Sequence, residues 1–250
     1  MTTKELESRI MKLYEEFIKT FSLDENTGLS EDSSFRFSGY PYVGSRYVES
    51  EKKILFIGLD TGVDERADEN TYHDFSSRRK NVSITAQGKT YKELNGRPLN
   101  NHMAGTYLLT MYLLSEYHPE WDEAKIKLLK SSNSVNTTFL SLNKEIIPND
   151  VLDYVAHVNI FKFVSKRRKR DERSGSKDRK WRNKRYEIDF LLREIDTFHP
   201  DILVFQGSHK RIPRGVMDDL KARYRVICGY HPSYWCHDAN KVKYIQSLVD

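Results

Sequence analysis

Four short runs constrain the fold more than any other feature of the chain: Ile54–Leu59, Val155–Phe161, Ile202–Gln206 and Tyr224–Gly229. Each is rich in β-branched and aromatic residues and nearly free of polar ones. A strand with one wet face alternates apolar and polar residues, so continuous apolar runs of this length point to strands covered on both faces. Between them lie helical patterns at Asn100–Tyr117, Trp181–Phe198 and Val216–Arg223, with a last one at Ala239–Val249. Strands that alternate with helices predict an α/β domain. The expected architecture is a three-layer αβα sandwich around a central, mostly parallel four-stranded sheet.

The 250 residues suit one domain with a full core. That domain is read as 1–250, opening with an amphipathic helix at about 3–21 whose apolar stripe is Leu6, Ile10, Leu13 and Phe17. The N-terminus lacks the apolar stretch and small-residue cleavage site of a secretory leader. No run is long enough to span a bilayer. Two cysteines, Cys228 and Cys236, make neither a disulfide framework nor a four-thiolate cluster. A cytoplasmic protein with reduced thiols is expected, without a membrane partner.

Two segments stand apart. Residues 61–99 form a long loop region rich in Asp, Asn, Arg and Ser, and loops of that length inside a domain are usually functional or mobile. Residues 162–185 carry thirteen Lys and Arg against three Asp and Glu. That local surplus of ten exceeds the whole chain's +5, so the remainder is net acidic. Charge runs are commonly solvated faces. This one has a Ser-Gly-Ser centre and includes Trp181, which fits contact with a nucleic-acid backbone through Lys162, Lys166, Arg167, Arg168, Lys169 and Arg170.

In an open parallel sheet, ligands bind beyond the carboxyl ends of the strands. The first run is followed by Asp60-Thr61-Gly62. The second holds Asn159 and then Lys162, the third leads to Gly207-Ser208-His209-Lys210, and the fourth to Tyr230-His231-Pro232-Ser233-Tyr234-Trp235. Each has an ordinary reading: an Asp after a strand caps a helix or closes an Asx turn, and an Asn satisfies loop backbone. His231 precedes a proline, which holds its backbone extended and fixes the turn. An Asp, an Asn and a His gathered at one sheet edge together make a candidate site.

In this order the motifs resemble those of the uracil-DNA glycosylase superfamily. GLDTG (58–62) resembles the family's first motif and HPS (231–233) its second, while VNIFKF (158–163) resembles the strand whose asparagine reads the flipped base. PDILVFQG (200–207) resembles the strand before the second motif, and the likeness extends over about residues 40–250. It implies a DNA glycosylase that rotates a nucleotide out of the stack and hydrolyses the bond between sugar and base. By that resemblance Asp60 stabilises the sugar cation and handles the attacking water, and His231 donates to the O2 oxygen of the departing base. Gly58, Leu59, Thr61 and Gly62 line the substrate pocket, Asn159 reads the base edge, and Tyr72 and Phe75 are candidates to stack on it. Ser233 holds a phosphate, and Tyr234 and Trp235 sit where the family inserts a wedge into the duplex.

Two departures matter. Members with an iron–sulfur cluster need four cysteines, so no cluster is expected; the histidines lack metal-ligand spacing, so no metal or other cofactor is expected either. Uracil-specific members carry a tyrosine two residues after the catalytic Asp, against C5 of the base, where this chain has Gly62. An open wall at C5 implies a larger base, such as the C5-substituted cytosines of phage DNA, with uracil as the alternative substrate. Antiviral defence in a prokaryotic cytoplasm would follow. A non-catalytic DNA-binding module would keep the basic segment without requiring Asp60 or His231. A nucleotide-binding α/β protein or a serine hydrolase is disfavoured, because no GxGxxG, GxxxxGK[ST] or GxSxG motif appears.

Overall fold

The computed structural model describes residues 1–31, 35–37, 39–59, 75–76, 79, 101–130, 151–165 and 184–230. Helix α1 (Thr3–Thr20) starts at a reciprocal capping box: the Thr2 side chain accepts from the Glu5 backbone, and the Glu5 carboxylate accepts from the Thr2 backbone. Strands β1 (Phe35–Phe37), β2 (Tyr42–Val43) and β3 (Ile54–Gly58) follow, then helices α2 (Asn101–Leu114) and α3 (Asp122–Lys130). The chain continues through β4 (Val155–Asn159), β5 (Phe163–Ser165), α4 (Lys184–Phe198), β6 (Ile202–Gln206), α5 (Arg214–Arg223) and β7 (Arg225–Gly229).

The main sheet has five strands in the order β2-β4-β3-β6-β7. The four runs picked out from the sequence form its parallel part, with Ile54 opposite Val155 and Ile202, and Ile202 opposite Arg225. The fifth strand, β2, pairs antiparallel with β4 through Tyr42 and His157. The sheet is therefore five-stranded and mixed, where four strands were expected. The Val155–Phe161 run ends early as a strand, since β4 stops at Asn159; just beyond the run, β5 pairs separately with β1, Phe163 opposite Phe37.

Alternation along each strand sorts the core into two halves. Leu55, Ile57, Ala156, Val158, Leu203 and Phe205 pack with residues of α1 and α4. Ile54, Phe56, Val155, Ile202, Val204 and Ile227 pack with α2 and α3. Both faces of the central strand are thus covered, which is why β3 is buried at all five positions. The last helical pattern read from the sequence, Ala239–Val249, lies outside the described residues. Among the described residues no helix is long and apolar enough to cross a membrane.

Candidate functional site

The parallel strands run in the order β4-β3-β6-β7, so the chain moves from β3 to one side and then crosses to β6 on the other. The connections reverse between β3 and β6, and such a reversal opens a crevice at the carboxyl ends of the strands. Parity puts Gly58, Asn159 and Gln206 on the α2 side of the sheet, in the same alternating series as Phe56, Val155 and Val204. Gly58 lies in register with Asn159, and Gln206 with Gly229. These residues make one row across the sheet edge.

Within that row the Asn159 side chain covers Gly58. A methyl group placed on Gly58 would lie 2.3 Å from Asn159 Oδ1 and 3.1 Å from Nε2 of His157, which is on the same face one position earlier. Position 58 is glycine because the neighbouring strand's amide occupies the space of a side chain. The strands stay joined past their ends: the Ile160 amide donates to Gly58 and the Phe161 amide to Leu59, at 3.0 and 2.9 Å. Half-buried Leu59 is thereby held against the turn after β4.

The turn after β6 depends on Gly207, whose φ of 76° is one that L side chains rarely adopt. Its amide donates to the Gly229 carbonyl at 2.7 Å. The fully buried Ser208 then donates its hydroxyl to the Ile57 carbonyl at 2.6 Å, tying this loop to the end of the central strand. Gln206, also buried, donates its Nε2 to Thr106 Oγ1 of α2 at 2.8 Å, while its Oε1 has no hydrogen-bond partner among the described residues. His209 is held below its ordinary pKa, first by burial and then by the charges of Lys210 and Lys221.

Lys162 is a correction to the sequence reading. Its side chain is only 2% exposed, with Nζ 2.6 Å from Glu194 Oε2 of α4. The ammonium also donates to the Asn159 carbonyl, and the Tyr14 hydroxyl of α1 donates to the other oxygen of Glu194. The rings of Phe190 and Tyr14 lie 5.5 and 5.7 Å from Nζ. Lys162 therefore does not offer its charge to a phosphate at the surface; it ties the backbone of Asn159 to two helices. Burial pushes the Glu194 carboxyl above its ordinary pKa, opposed by the Lys162 charge and by hydrogen bonds from Lys162 and Tyr14.

Phe75 is a second correction. It is 7% exposed, stacks on Tyr40 with ring centroids 5.1 Å apart, and belongs to the core beneath α1. Its ring is already covered, so it is not a face for a base. Of the remaining residues singled out in the sequence, the structure brings Gly58, Leu59 and Asn159 together. Asp60, Thr61, Gly62, Tyr72, Lys166, Arg167, Arg168, Lys169, Arg170, His231, Ser233, Tyr234 and Trp235 lie outside the described residues.

The chain matches no family model, no curated protein and no solved structure. The site is therefore interpreted from its own chemistry. Sequence reasoning missed Gln206, Ser208 and the Tyr14–Lys162–Glu194 set. The signal for the last was present in α4: Glu187 and Glu194 share the stripe of Phe190, Leu191 and Phe198, and both are fully buried. A carboxylate at an apolar-stripe position needs a buried partner.

Proposed function

We propose that this protein is a DNA glycosylase that flips out a pyrimidine and hydrolyses its N-glycosidic bond, acting on a base with a substituent at C5. The uracil-DNA glycosylase-like form of the αβα sandwich belongs to the same proposal. The observation that carries it is the Asn159 amide lying over Gly58 at the switch point, two residues before Asp60 in the chain. The ends of β3 and β7, which lead in sequence to Asp60 and to His231, are separated by one strand. That spacing is roughly 10 Å, enough for a nucleoside between two catalytic groups.

In this mechanism the Asp60 carboxylate faces the sugar as it becomes cationic and orients water toward C1′. His231 donates to O2 as the base leaves with the bonding electrons. A preorganised donor at that oxygen is worth about 3–4 kcal/mol of barrier. Asn159 presents one acceptor and two donors to the Watson–Crick edge. Gly62 leaves the C5 side open. The basic segment 166–170 supplies backbone attraction without sequence preference.

The test is alkali cleavage of oligonucleotides carrying uracil, a thymine mismatch, 5-hydroxymethylcytosine or glucosylated cytosine. The expected result is a break at a C5-substituted base that Asp60→Asn and His231→Ala each reduce by about a hundredfold or more. Breakage untouched by both substitutions would remove the mechanism. Strong uracil excision with no activity on any C5-substituted base would remove the substrate assignment. Binding without base release would leave a DNA-binding module.

A further inference from the structure

Gln206 is the last residue of β6, on the strand that separates the ends leading to Asp60 and His231. It lies at the sheet's carboxyl edge on the α2 side, with Gly229 in register on one flank and Gly58 beside it on the other. Its side chain is 2% exposed, and its Nε2 is committed to Thr106 Oγ1 at 2.8 Å. That bond orients the amide and leaves Oε1 buried with no hydrogen-bond partner among the described residues. A buried carbonyl without a donor costs about 1–3 kcal/mol. Residues kept at such a cost are concentrated where a ligand, ion or water completes them.

We propose that Gln206 is a specificity-determining residue whose Oε1 accepts a hydrogen bond from the exocyclic N–H at position 4 of the bound base. This rests on the glycosylase reading and narrows it. A 4-aminopyrimidine, the cytosine type, offers an N–H at position 4. A 4-oxopyrimidine, the uracil type, has its edge N–H at N3, toward Asn159, and a carbonyl at position 4 that would set oxygen against oxygen at Gln206. Asn159 alone can turn its amide to suit either base. Gln206 cannot turn freely, because Thr106 holds its amino group. Two carboxamides two strands apart, one adaptable and one anchored, read the edge together, and the anchored one selects the amine. Discrimination is large when a buried polar group of the site would otherwise be left unpaired.

The experiment uses the full chain and four oligonucleotides alike except at one base: cytosine, uracil, 5-hydroxymethylcytosine and 5-hydroxymethyluracil. Base release and binding by fluorescence anisotropy are both measured, for wild type, Gln206→Met and Gln206→Glu. Met keeps the length of the side chain and removes the acceptor; Glu keeps the acceptor. The expected result is that wild type favours the 4-amino base over its 4-oxo counterpart by about tenfold or more. The ratio falls toward one in Gln206→Met and is retained in Gln206→Glu. A 4-oxo preference in wild type, or an unchanged ratio in Gln206→Met, overturns the assignment while leaving base excision intact. If wild type releases no base, the reaction falls, and Gln206 is judged on binding: a 4-amino preference lost in Gln206→Met supports it, and equal binding overturns it. Thermal melts of each variant separate loss of reading from loss of fold.

Discussion

Two sets of buried polar groups, one on each side of the central sheet, are arranged in opposite ways. Toward α1 and α4, three side chains form a closed set: Lys162 meets Glu194, Tyr14 meets Glu194, and the ammonium is further bonded to the Asn159 carbonyl. The set is sealed among aromatic rings. Toward α2, at the carboxyl edge, two carboxamides line a row containing two glycines, and one of them keeps an unused acceptor. Charges that are mutually satisfied hold elements in place. A neutral amide left incomplete at a crevice is suited to meeting something that arrives from outside.

The largest expected effect breaks the closed set. Lys162→Met strands the Glu194 carboxylate in the core and should cost about 3–5 kcal/mol in denaturant melts. The triple replacement Tyr14→Phe, Lys162→Met and Glu194→Leu should return stability to within about 2 kcal/mol of wild type, since well-packed apolar groups can replace a buried ion set. If Lys162 faced solvent, the single change would cost under about 0.5 kcal/mol, and the contrast between the two sides would be lost.

Next in size is Gly58→Ala, whose methyl group would collide with Asn159 Oδ1. A loss of about 1–3 kcal/mol is expected, and base release should fall with it because the Asn159 amide is displaced. Gly215→Ala is the control, since a methyl group there meets nothing within 4 Å among the described residues. It should be neutral or stabilising by up to about 1 kcal/mol.

Smaller still is the stability effect of Gln206→Met. It removes one hydrogen bond to Thr106 and one unpaired carbonyl, so the melting curve should stay within about 1 kcal/mol of wild type, in either direction. A loss above about 3 kcal/mol would mean that Gln206 belongs to the architecture and not to the crevice.

The smallest effect concerns His209. Its folded-state pKa lies below the ordinary 6.5, so the unfolded chain binds the proton more readily. The contribution is present above that ordinary value and is lost as pH falls toward the folded-state value. Between pH 7.5 and 5.5, His209→Gln should reduce the fall in melting temperature by about 1 °C. An identical pH profile in the variant would show that the imidazole is not desolvated at the crevice.

β3 and β6 were legible because each is a five-residue run that must be dry on both faces, a demand that leaves few alternatives; β7, at the sheet edge, was legible from its apolar run although Arg225 and Cys228 are exposed. β2 was not, because two residues, Tyr42 and Val43, carry no period, and their pairing to β4 is decided by contacts more than a hundred positions away. Helix α3 was hidden for a related reason: DEAKIKLLK buries only a narrow stripe, including Ala124 and Leu128. Asn159 was readable from its place at a strand end. Lys162 was misread because its charge was counted with residues 166–170, whereas its immediate neighbours, Phe161 and Phe163, are both core residues. Gln206 gave no sign beyond ending an apolar run, since an unpaired acceptor is a property of three-dimensional surroundings.

The strand order has a consequence for the birth of the chain. β3 is the centre of the sheet, yet its partners β4 and β6 begin at residues 155 and 202, about a hundred and about a hundred and fifty residues after β3 begins. Emerging from the ribosome, its continuous apolar run must wait for most of the polypeptide before either edge is paired. Closing such long loops before any contact rewards them makes folding slow. The residues that end β3 at the crevice are therefore synthesised well before the two strands that enclose them.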